Sequence, residues 1–275
     1  MVERLYLAQE RLSAAIVLTG EEAHHLLHVK RCRPGEPVEI FTGDGTVYRA
    51  VVTEVSGARR GTGAQLTLTV EGREPPRREC PVTISVVVPV ARGKRMDTLV
   101  EKLSELGVAE LWPVTTARSV VPAASESASR REHWRRIAIE AARQCGRATL
   151  LRIQEGRSLD QATEALRARP LRLAASLSGA PVPLADVLGR HPLVDVAIFI
   201  GPEGDFDPAE LQELVAAGAL PVSLGPTVLR METAAIVAAA AVALWADASR
   251  PAGRDAPRPP QHDQEGKDEQ PCPRA

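Results

Sequence analysis

Residues 198–208 combine features of a ligand-binding loop with those of a helix start. The segment reads Ile-Phe-Ile-Gly-Pro-Glu-Gly-Asp-Phe-Asp-Pro, so an apolar strand runs into a loop that contains Gly201 and Gly204. Glycines let backbone amides approach a ligand closely, and ligands of open α/β sheets bind just beyond the carboxyl ends of strands. The alternative is a tight strand-to-helix turn, in which Asp207 caps a helix that begins at Pro208.

The spacing of these glycines argues against two common nucleotide sites. Gly-Pro-Glu-Gly matches neither the G-x-G-x-x-G pattern of dinucleotide-binding folds nor the G-x-x-x-x-G-K-[ST] phosphate loop. A nicotinamide or ATP site is therefore poorly supported. A nucleotide hydrolase is disfavoured for the same reason, and because the sequence shows no carboxylate cluster suited to a metal.

A second segment repeats this design near the C-terminal end of the chain. Residues 222–226 (Val-Ser-Leu-Gly-Pro) end a strand, and Arg230 and Glu232 follow at the start of a helix rich in alanine and valine. Charged residues are rarely buried without a partner. These two either pair with other charges or cap the helix, or else this loop faces the first one and closes a ligand crevice.

Histidines and cysteines indicate no metal site. His24 and His28 are four residues apart on a predicted helix, which suits metal ligation, but no third ligand follows at a recognisable spacing. The four cysteines are far apart, which favours neither a zinc site nor a disulfide framework. We therefore predict that the protein holds no metal.

Charge is distributed unevenly along a chain whose formal net charge is −1. Residues 76–160 hold 15 Lys and Arg against 10 Asp and Glu (+5), whereas residues 161–248 hold 5 against 10 (−5). A basic segment in a near-neutral protein favours a local anionic partner over a nonspecific nucleic-acid coat, with a solvated helix face as an equal alternative. Aromatic residues make up only 3% of the chain, so stacking cannot carry most of a nucleic-acid contact.

Residues 1–75 are predicted to form a small β-barrel. Short runs of β-branched residues alternate with Pro-Gly and Gly-Asp-Gly turns, which is typical of a small all-β unit. The predicted strands are Val38–Phe41, Val47–Val55 and Gln65–Val70, and a short helix is predicted over Glu21–Arg31. The sequence Glu-Pro-Pro-Arg-Arg at 74–78 then interrupts the pattern and predicts a linker.

From residue 82 onward strands and helices alternate, which predicts an α/β domain with a mostly parallel sheet. Continuous β-branched runs are expected of strands buried on both faces, and apolar residues at helical spacing follow them. The predicted strands are Val82–Val90, Val108–Val114, Leu171–Leu177, Val194–Ile200 and Pro221–Leu224. Helices are predicted around 96–106 and 134–145, over Pro208–Ala217 and over Met231–Ala246.

No targeting or membrane segment is predicted. The N-terminus lacks a basic region followed by an apolar run. The longest apolar stretch, Ala234–Ala246, has 13 residues, fewer than the ~20 of a membrane span, and is interpreted as a buried helix. We expect a cytoplasmic protein. Residues 249–275 are rich in proline and charge and nearly free of apolar residues, so we predict a disordered tail.

Five motifs occur in order between residues 4 and 246. The most informative are G-P-E-G-x-[FS] at 201–206 and L-G-x-x-[VI]-L-R-x-E-T-A at 224–234. The others are H-H-L-x-x-V-x-R at 24–31, K-x-x-E-L-G at 102–107 and E-A-x-x-Q-x-x-R at 140–147. Together they resemble the 16S ribosomal RNA uridine-N3 methyltransferases of the RsmE family.

The resemblance implies an α/β fold of SPOUT type. A trefoil-knotted methyltransferase domain (76–248) would follow a PUA-like RNA-binding β-barrel (1–75). It also implies a homodimer, with S-adenosylmethionine as the cofactor held by the knot loops. The residues implied to contact the cofactor are Leu177, Ile200, Gly201, Glu203, Gly204, Leu224, Gly225 and Leu229. Two positions depart from the family pattern, which has Gly at Asp205 and Thr at Met231.

The implied reaction is methylation of uridine N3, with ribosomal RNA or the small ribosomal subunit as the partner. Methyl transfer from a sulfonium is an in-line displacement that requires no metal, so positioning should supply much of the catalysis. We hypothesise that Arg230 stabilises charge on the uracil oxygens and that Glu232 orients Arg230 or helps to remove the N3 proton. A structural Arg230–Glu232 pair is the alternative.

Basic residues in two clusters are expected to contact phosphates, because the target base must leave its stack while the backbone is held. They are Arg4, Lys30, Arg31 and Arg33 in the barrel, and Arg92, Lys94 and Arg95 after the first strand of the second domain. Two other functions remain open. One is a non-catalytic RNA-binding protein of the same fold, and the other is a SPOUT methyltransferase that acts on another RNA.

Overall fold

The computed structural model describes residues 2–56, 63–75, 78–119, 121–123 and 127–249. Beyond Ser249, the predicted disordered tail lies outside the described residues, as do two residues of the predicted linker. The described residues form two sheets. The first sheet uses residues up to Glu74, and the second begins at Thr83.

The first sheet contains three predicted strands and two that were not predicted. Its strands are β1 (Glu3–Tyr6), β2 (Ala15–Thr19), β3 (Pro37–Phe41), β4 (Val47–Ser56) and β5 (Gln65–Glu74). Their order is β1-β3-β4-β5-β2, and every neighbouring pair is antiparallel except β1 and β3. Because β1 and β2 are the two edges, the sheet is an open half-barrel, and its core includes the fully buried Ile40, Leu66 and Leu68.

The predicted helix Glu21–Arg31 is divided into two parts. A short helix, α1 (Gly20–His24), continues into a π-helical turn over His25–Val29. The wider turn is fixed by hydrogen bonds from the Lys30 amide to the His25 carbonyl (3.0 Å) and from the Cys32 amide to the Leu26 carbonyl (2.9 Å).

The second sheet confirms the predicted α/β domain, because all its neighbouring strands are parallel. Its strands are β6 (Thr83–Pro89), β7 (Glu110–Thr115), β8 (Arg152–Ile153), β9 (Arg157–Ser158), β10 (Leu171–Ala175), β11 (Val182–Pro183), β12 (Asp195–Ile200) and β13 (Leu220–Ser223). Their order is β11-β13-β10-β12-β6-β7-β8, with β9 also beside β7. Sequence reasoning missed the two-residue strands, which are too short to show a pattern. The trefoil knot stays a prediction.

Helices cover both faces of this sheet. They are α2 (Arg95–Glu105), α3 (Ala128–Cys145), α4 (Leu159–Ala165), α5 (Leu184–Leu188), α6 (Pro208–Ala216) and α7 (Met231–Ala248). The last helix is long and apolar enough to cross a membrane by composition alone. However, it packs on α2, β6 and β12, with Ala235, Ala238 and Ala239 buried in the core, which agrees with the prediction of a buried helix.

Arg4 joins the half-barrel to the second domain. Its guanidinium donates to the backbone carbonyls of Ala142 (2.8 Å) and Arg147 (2.9 Å) at the end of α3, and it pairs with Glu39. It also lies 4.7 Å from the centroid of the Phe41 ring. The side chain is 12% exposed. The prediction that Arg4 contacts RNA phosphate is therefore wrong, because its donors are used inside the chain.

The E-A-x-x-Q-x-x-R motif ends in a residue with a structural role. Arg147 is 4% exposed and donates to the carbonyls of Ser104 (2.9 Å) and Val108 (3.3 Å), which flank the end of the K-x-x-E-L-G motif. It also pairs with Glu79 at 3.3 Å. A buried guanidinium is stable only when its donors are satisfied, so these two motifs fix each other's position.

Candidate active site

A cleft of about 570 Å³ lies where three neighbouring strands of the second sheet end. In the sheet, β10 lies between β12 and β13, so the loops that follow these strands meet at one edge. Ala175, Ile200 and Val222, from the ends of the three strands, all line the cleft. We call it the cofactor cleft; it occupies the carboxyl edge, where ligands of open α/β sheets bind.

The loop after β12 is held close to the start of α6. Gly201 is buried, and a Cβ at this position would lie only 3.0 Å from the backbone nitrogen of Phe206. Asp207 caps α6 by accepting from the Ala209 amide at 3.1 Å, and Pro208 begins the helix. The strand-to-helix turn and the ligand site, which sequence reasoning treated as alternatives, are the same structure.

Asp205 connects this loop to the loop after β10. Its Oδ2 accepts from the Leu177 amide (3.0 Å) and from the Ser176 hydroxyl (2.9 Å), and its Oδ1 accepts from the Phe206 amide (2.9 Å). Its φ of 63° lies in the left-handed region, where glycine is favoured. The departure from glycine therefore adds a carboxylate that fixes one wall of the cofactor cleft.

The loop after β13 forms the opposite wall. Leu224 and Leu229 line the cleft, and Val228 lies between them with 72% of its surface exposed. Gly225 has a φ of 126°, and a Cβ there would meet nothing within 4 Å. This glycine therefore serves the turn of the backbone rather than a close contact.

Seven of the eight residues predicted to contact the cofactor line the cleft. They are Leu177, Ile200, Gly201, Glu203, Leu224, Gly225 and Leu229. Gly204 is the exception, because it packs against the Arg118 side chain, which donates to its carbonyl. Gly204 does not line the cleft, and its contact with the cofactor stays a prediction. Sequence reasoning missed Val222, Thr227 and Val228, although all three belong to or adjoin the quoted motif.

Arg95 lies between Glu203 and Glu232. It donates a hydrogen bond to Glu203, and its Nη1 lies 4.0 Å from Oε2 of Glu232. A hydrogen bond from its own backbone and one from Arg95 lower the pKa of Glu203. The Glu232 side chain is 13% exposed, and among the described residues its Oε2 has no hydrogen-bond partner.

The structure separates Arg230 from Glu232. Arg230 is exposed and precedes α7 without capping it through its side chain. Across the residues that the structure describes, the two charges form no ion pair within 4.0 Å, so the alternative of a structural pair is wrong. Glu232 faces Arg95 instead, which sequence reasoning had assigned to phosphate binding only.

The other predicted RNA contacts lie on two surfaces. Arg31 and Arg33 are exposed beside the π-helical turn, and Lys30 pairs with Glu3 at 3.0 Å. Arg92 and Arg95 line a second cleft of about 650 Å³, whereas Lys94 is exposed nearby without lining it. Pro202, Glu203 and Met231 line both clefts, so the two are neighbours.

The fold and this edge define a class of protein. Residues 78–243 match the RNA methyltransferase domain family, and residues 18–59 match the RNA methyltransferase PUA domain. The first match covers more than half of the chain. The protein is a member of the RNA methyltransferase family, with a PUA domain before the catalytic domain.

Relatives that match most of the chain identify its family within the RNA methyltransferases. "Ribosomal RNA small subunit methyltransferase E" of Mycobacterium bovis is 34% identical over 240 residues, covering 83% of this chain and 86% of the relative. The Synechocystis protein of the same name is 30% identical over 246 residues, covering 88% and 77%. The chain thus belongs to the family of ribosomal RNA small subunit methyltransferases E.

Solved structures agree with this assignment. The Neisseria gonorrhoeae ribosomal RNA small subunit methyltransferase E, bound to S-adenosylmethionine, superposes with a TM-score of 0.73 at 30% identity and covers 88% of this chain and 96% of its own. A Legionella pneumophila protein in complex with the same cofactor gives a TM-score of 0.74 at 30% identity, covering 88% and 97%. The predicted α/β methyltransferase fold with a preceding PUA domain is confirmed.

Proposed function

We propose that this chain transfers the methyl group of S-adenosylmethionine to N3 of a uridine in the 16S rRNA of the small ribosomal subunit. The observation that carries the proposal is the cofactor cleft, in which three strand ends bring together seven of the residues expected to hold the cofactor. The names of the relatives and the two cofactor-bound neighbours support the same reaction class.

The chemistry of the cofactor cleft fits S-adenosylmethionine. Ile200, Leu224 and Leu229 offer apolar surface for a flat base. The carboxylate of Glu203 and the hydroxyl of Ser223 offer polar partners for hydroxyl or ammonium groups of the ligand.

When bound, the cofactor supplies an electrophilic methyl group on a sulfonium. The N3 lone pair of the uracil forms the new C–N bond while the C–S bond breaks, and the sulfur keeps the electron pair. The N3 proton must leave during or before this step. The protein therefore has to position the base and provide an acceptor for one proton.

Glu232 is the residue best suited to accept that proton. Its carboxylate is largely buried at the carboxyl edge, and its Oε2 lacks a hydrogen-bond partner in the described part of the chain. The guanidinium of Arg95 lies 4.0 Å from this oxygen. Arg230, exposed at the end of the loop after β13, remains free to donate to the uracil oxygens as charge develops.

Ribosomal RNA would contact both domains. Exposed Arg31 and Arg33 lie on the half-barrel, and exposed Arg92 and Lys94 lie beside the second cleft. Phosphate contacts of this kind hold the RNA without reading its sequence. A ribosomal RNA substrate places the reaction in the bacterial cytoplasm, and the mechanism calls for no metal.

A second copy of the chain would cover the outer face of α7. Leu244, Trp245 and Val237 are 71%, 40% and 38% exposed on this helix, although its inner face is part of the core. An apolar helix face in water favours a protein partner, so we propose a homodimer. Light scattering should show a dimer for the native chain and a monomer for Leu244→Glu. A native monomer at micromolar concentration would contradict the dimer.

The test of the reaction uses small subunits from a strain that lacks the corresponding enzyme. Purified protein and S-adenosylmethionine should convert one uridine to 3-methyluridine, detected by nucleoside mass spectrometry and located by primer extension. Both free 16S rRNA and assembled subunits serve as substrates in parallel. If neither gains a methyl group, or if the methyl group is found on another base or on transfer RNA, the proposal is wrong.

A further inference from the structure

The second cleft is a separate site beside the cofactor cleft. Its wall comes from the end of β6 and the residues after it, with Val90, Ala91 and Arg92, and from Ser119 across the cleft. Pro202, Glu203 and Met231 separate it from the cofactor cleft and line both. Anything bound in the second cleft would therefore lie directly across this shared wall from the cofactor.

The lining of the second cleft is apolar at its walls and cationic at its rim. Pro89, Val90 and Ala91 supply apolar surface from one side, and Met231, which is 3% exposed, supplies it from the shared wall. Arg92 is exposed at the rim, whereas the half-buried Arg95 pairs with Glu203, which also lines the cleft. This combination suits a flat, weakly polar ring that carries a negatively charged group. It does not suit a metal cation, because Glu203 supplies the one carboxylate among the described lining residues and that carboxylate pairs with Arg95.

Met231 makes the shared wall of this chain different from the family pattern, which has Thr at this position. A thioether side chain adapts to flat ring surfaces and makes favourable contacts with them. The adjoining Glu232 carries the carboxylate oxygen without a partner among the described residues, and Arg95 reaches from the second cleft to within 4.0 Å of it. The proton acceptor and the apolar ring surface thus occupy successive positions at the start of α7.

We infer that the second cleft receives the target nucleotide, a pyrimidine flipped out of its stack, with the base against Met231 and Pro202 and its phosphate at Arg92. The inference rests on the proposed methyl transfer and adds the location of the substrate to it. Enzymes that modify a base in structured RNA must extrude it into a pocket, and the second cleft adjoins the cofactor cleft through a shared wall.

Photo-crosslinking locates the base without requiring turnover. The probe is a hexauridylate that carries a single 4-thiouridine, irradiated with the full chain and saturating S-adenosylhomocysteine. Peptide mass spectrometry should find the adduct on residues 89–92 or on Met231. Adducts confined to the half-barrel or to the helices away from this edge would overturn the assignment, whatever the result of the methylation assay.

A matched pair of charge reversals provides the kinetic test. Arg92→Glu should raise KM for the RNA about tenfold, while Lys94→Glu, two residues away, should raise it only about threefold, because its phosphate contact lies outside the cleft. Affinity for S-adenosylmethionine should stay constant in both, which also shows that both variants fold. Equal effects would overturn the cleft assignment while leaving the methyltransferase proposal intact. If the native enzyme methylates no ribosomal RNA but the probe still crosslinks to residues 89–92, the methyltransferase proposal is wrong and the cleft assignment stands.

Discussion

The two edges of the second sheet hold buried carboxylates in opposite states. At the amino edge, Glu110 is 6% exposed and accepts from the Ser85 hydroxyl (2.9 Å) and the Trp112 indole (3.1 Å). Arg152 and Arg169 each pair with it at 3.0 Å. Every oxygen of this carboxylate therefore has donors.

At the carboxyl edge, Glu232 lies at a comparable depth with one oxygen that lacks a donor in the described residues. A buried carboxylate without hydrogen bonds costs free energy, so a native protein keeps one where it serves a purpose other than stability. Asp195, at the amino edge, also has one oxygen without a hydrogen-bond partner among the described residues, but its other oxygen pairs with Arg169. An unsatisfied oxygen therefore indicates a functional carboxylate only where, as at Glu232, it lies next to the wall of a cleft.

The largest expected effect is on chemistry at the carboxyl edge. Glu232→Gln keeps the shape of the side chain but removes the proton acceptor. The rate constant of single-turnover methylation should therefore fall by roughly 10²–10⁴-fold. Affinity for S-adenosylmethionine should change little. Glu213→Gln, on the exposed face of α6, is the matched control. A Glu232→Gln rate within a factor of two of native would remove Glu232 from the mechanism.

Arg230 should contribute less than the proton acceptor. Arg230→Ala removes a donor that stabilises charge on the uracil oxygens, so the single-turnover rate should fall by about a hundredfold. Arg230→Lys should recover part of the loss, because a cation is restored without the planar fork. An unchanged rate for Arg230→Ala would reject its assignment and leave Arg95 as the cation of the site.

Removal of the amino-edge carboxylate should affect stability instead. Glu110→Ala leaves the buried donors of Ser85 and Trp112 unpaired, whereas Arg152 is largely exposed and Arg169 keeps its pair with Asp195. The free energy of unfolding should therefore fall by roughly 1–3 kcal/mol for each unpaired donor. Urea denaturation measures the loss. Glu164→Ala breaks an exposed pair with Arg167 and should cost under about 1 kcal/mol. If Glu110→Ala lowers kcat in the folded enzyme while stability is kept, the contrast between the two edges fails.

Asp205 should have a smaller effect, confined to the cofactor. Asp205→Gly suits the φ of 63° but removes the bonds to Ser176 and Leu177, so the Kd for S-adenosylmethionine should rise about tenfold with little change in melting temperature. Asp205→Ala loses the same bonds and also keeps an unfavourable backbone, so it should melt lower. If Asp205→Gly binds S-adenosylmethionine with native affinity, the hydrogen bonds from Ser176 and Leu177 to Asp205 do not shape the cofactor cleft.

The sequence predicted the carboxyl edge better than the amino edge, for a physical reason. Strands β12 and β13 are largely apolar, and the glycines after them mark loops, so the local pattern locates two walls of the cofactor cleft. The Glu110 network joins residues from four separate strands and loops, and no local pattern encodes such contacts. The same limit explains why the structural role of Arg4 was not predicted, since it depends on carbonyls about 140 positions away.

The role of Arg95 was also out of reach from sequence. It occurs among other basic residues after a strand, which indicates a phosphate contact, and only the packing of α2 against α7 brings it to Glu203 and Glu232. Asp205 was recognised as a departure, but its acceptor role depends on β10 lying beside β12. Motif spacing therefore predicts which loops form a site, and strand order decides which side chains meet in it.

The smallest expected effect is the loss, at low pH, of the stabilisation that Glu110 provides. Burial acts to raise the pKa of Glu110, but hydrogen bonds from Ser85 and Trp112 and the charges of Arg152 and Arg169 outweigh it, so the pKa lies below the ordinary 4.5. A carboxylate whose pKa is lowered by folding stabilises the native state above its ordinary pKa and loses that contribution as pH falls through the lowered value. The difference in unfolding free energy between native protein and Glu110→Gln should therefore be constant from pH 7 to about 5 and shrink below 4.5. Urea denaturation across this range measures it, and a difference that grows on acidification would mean that the amino-edge carboxylate is protonated in the native protein.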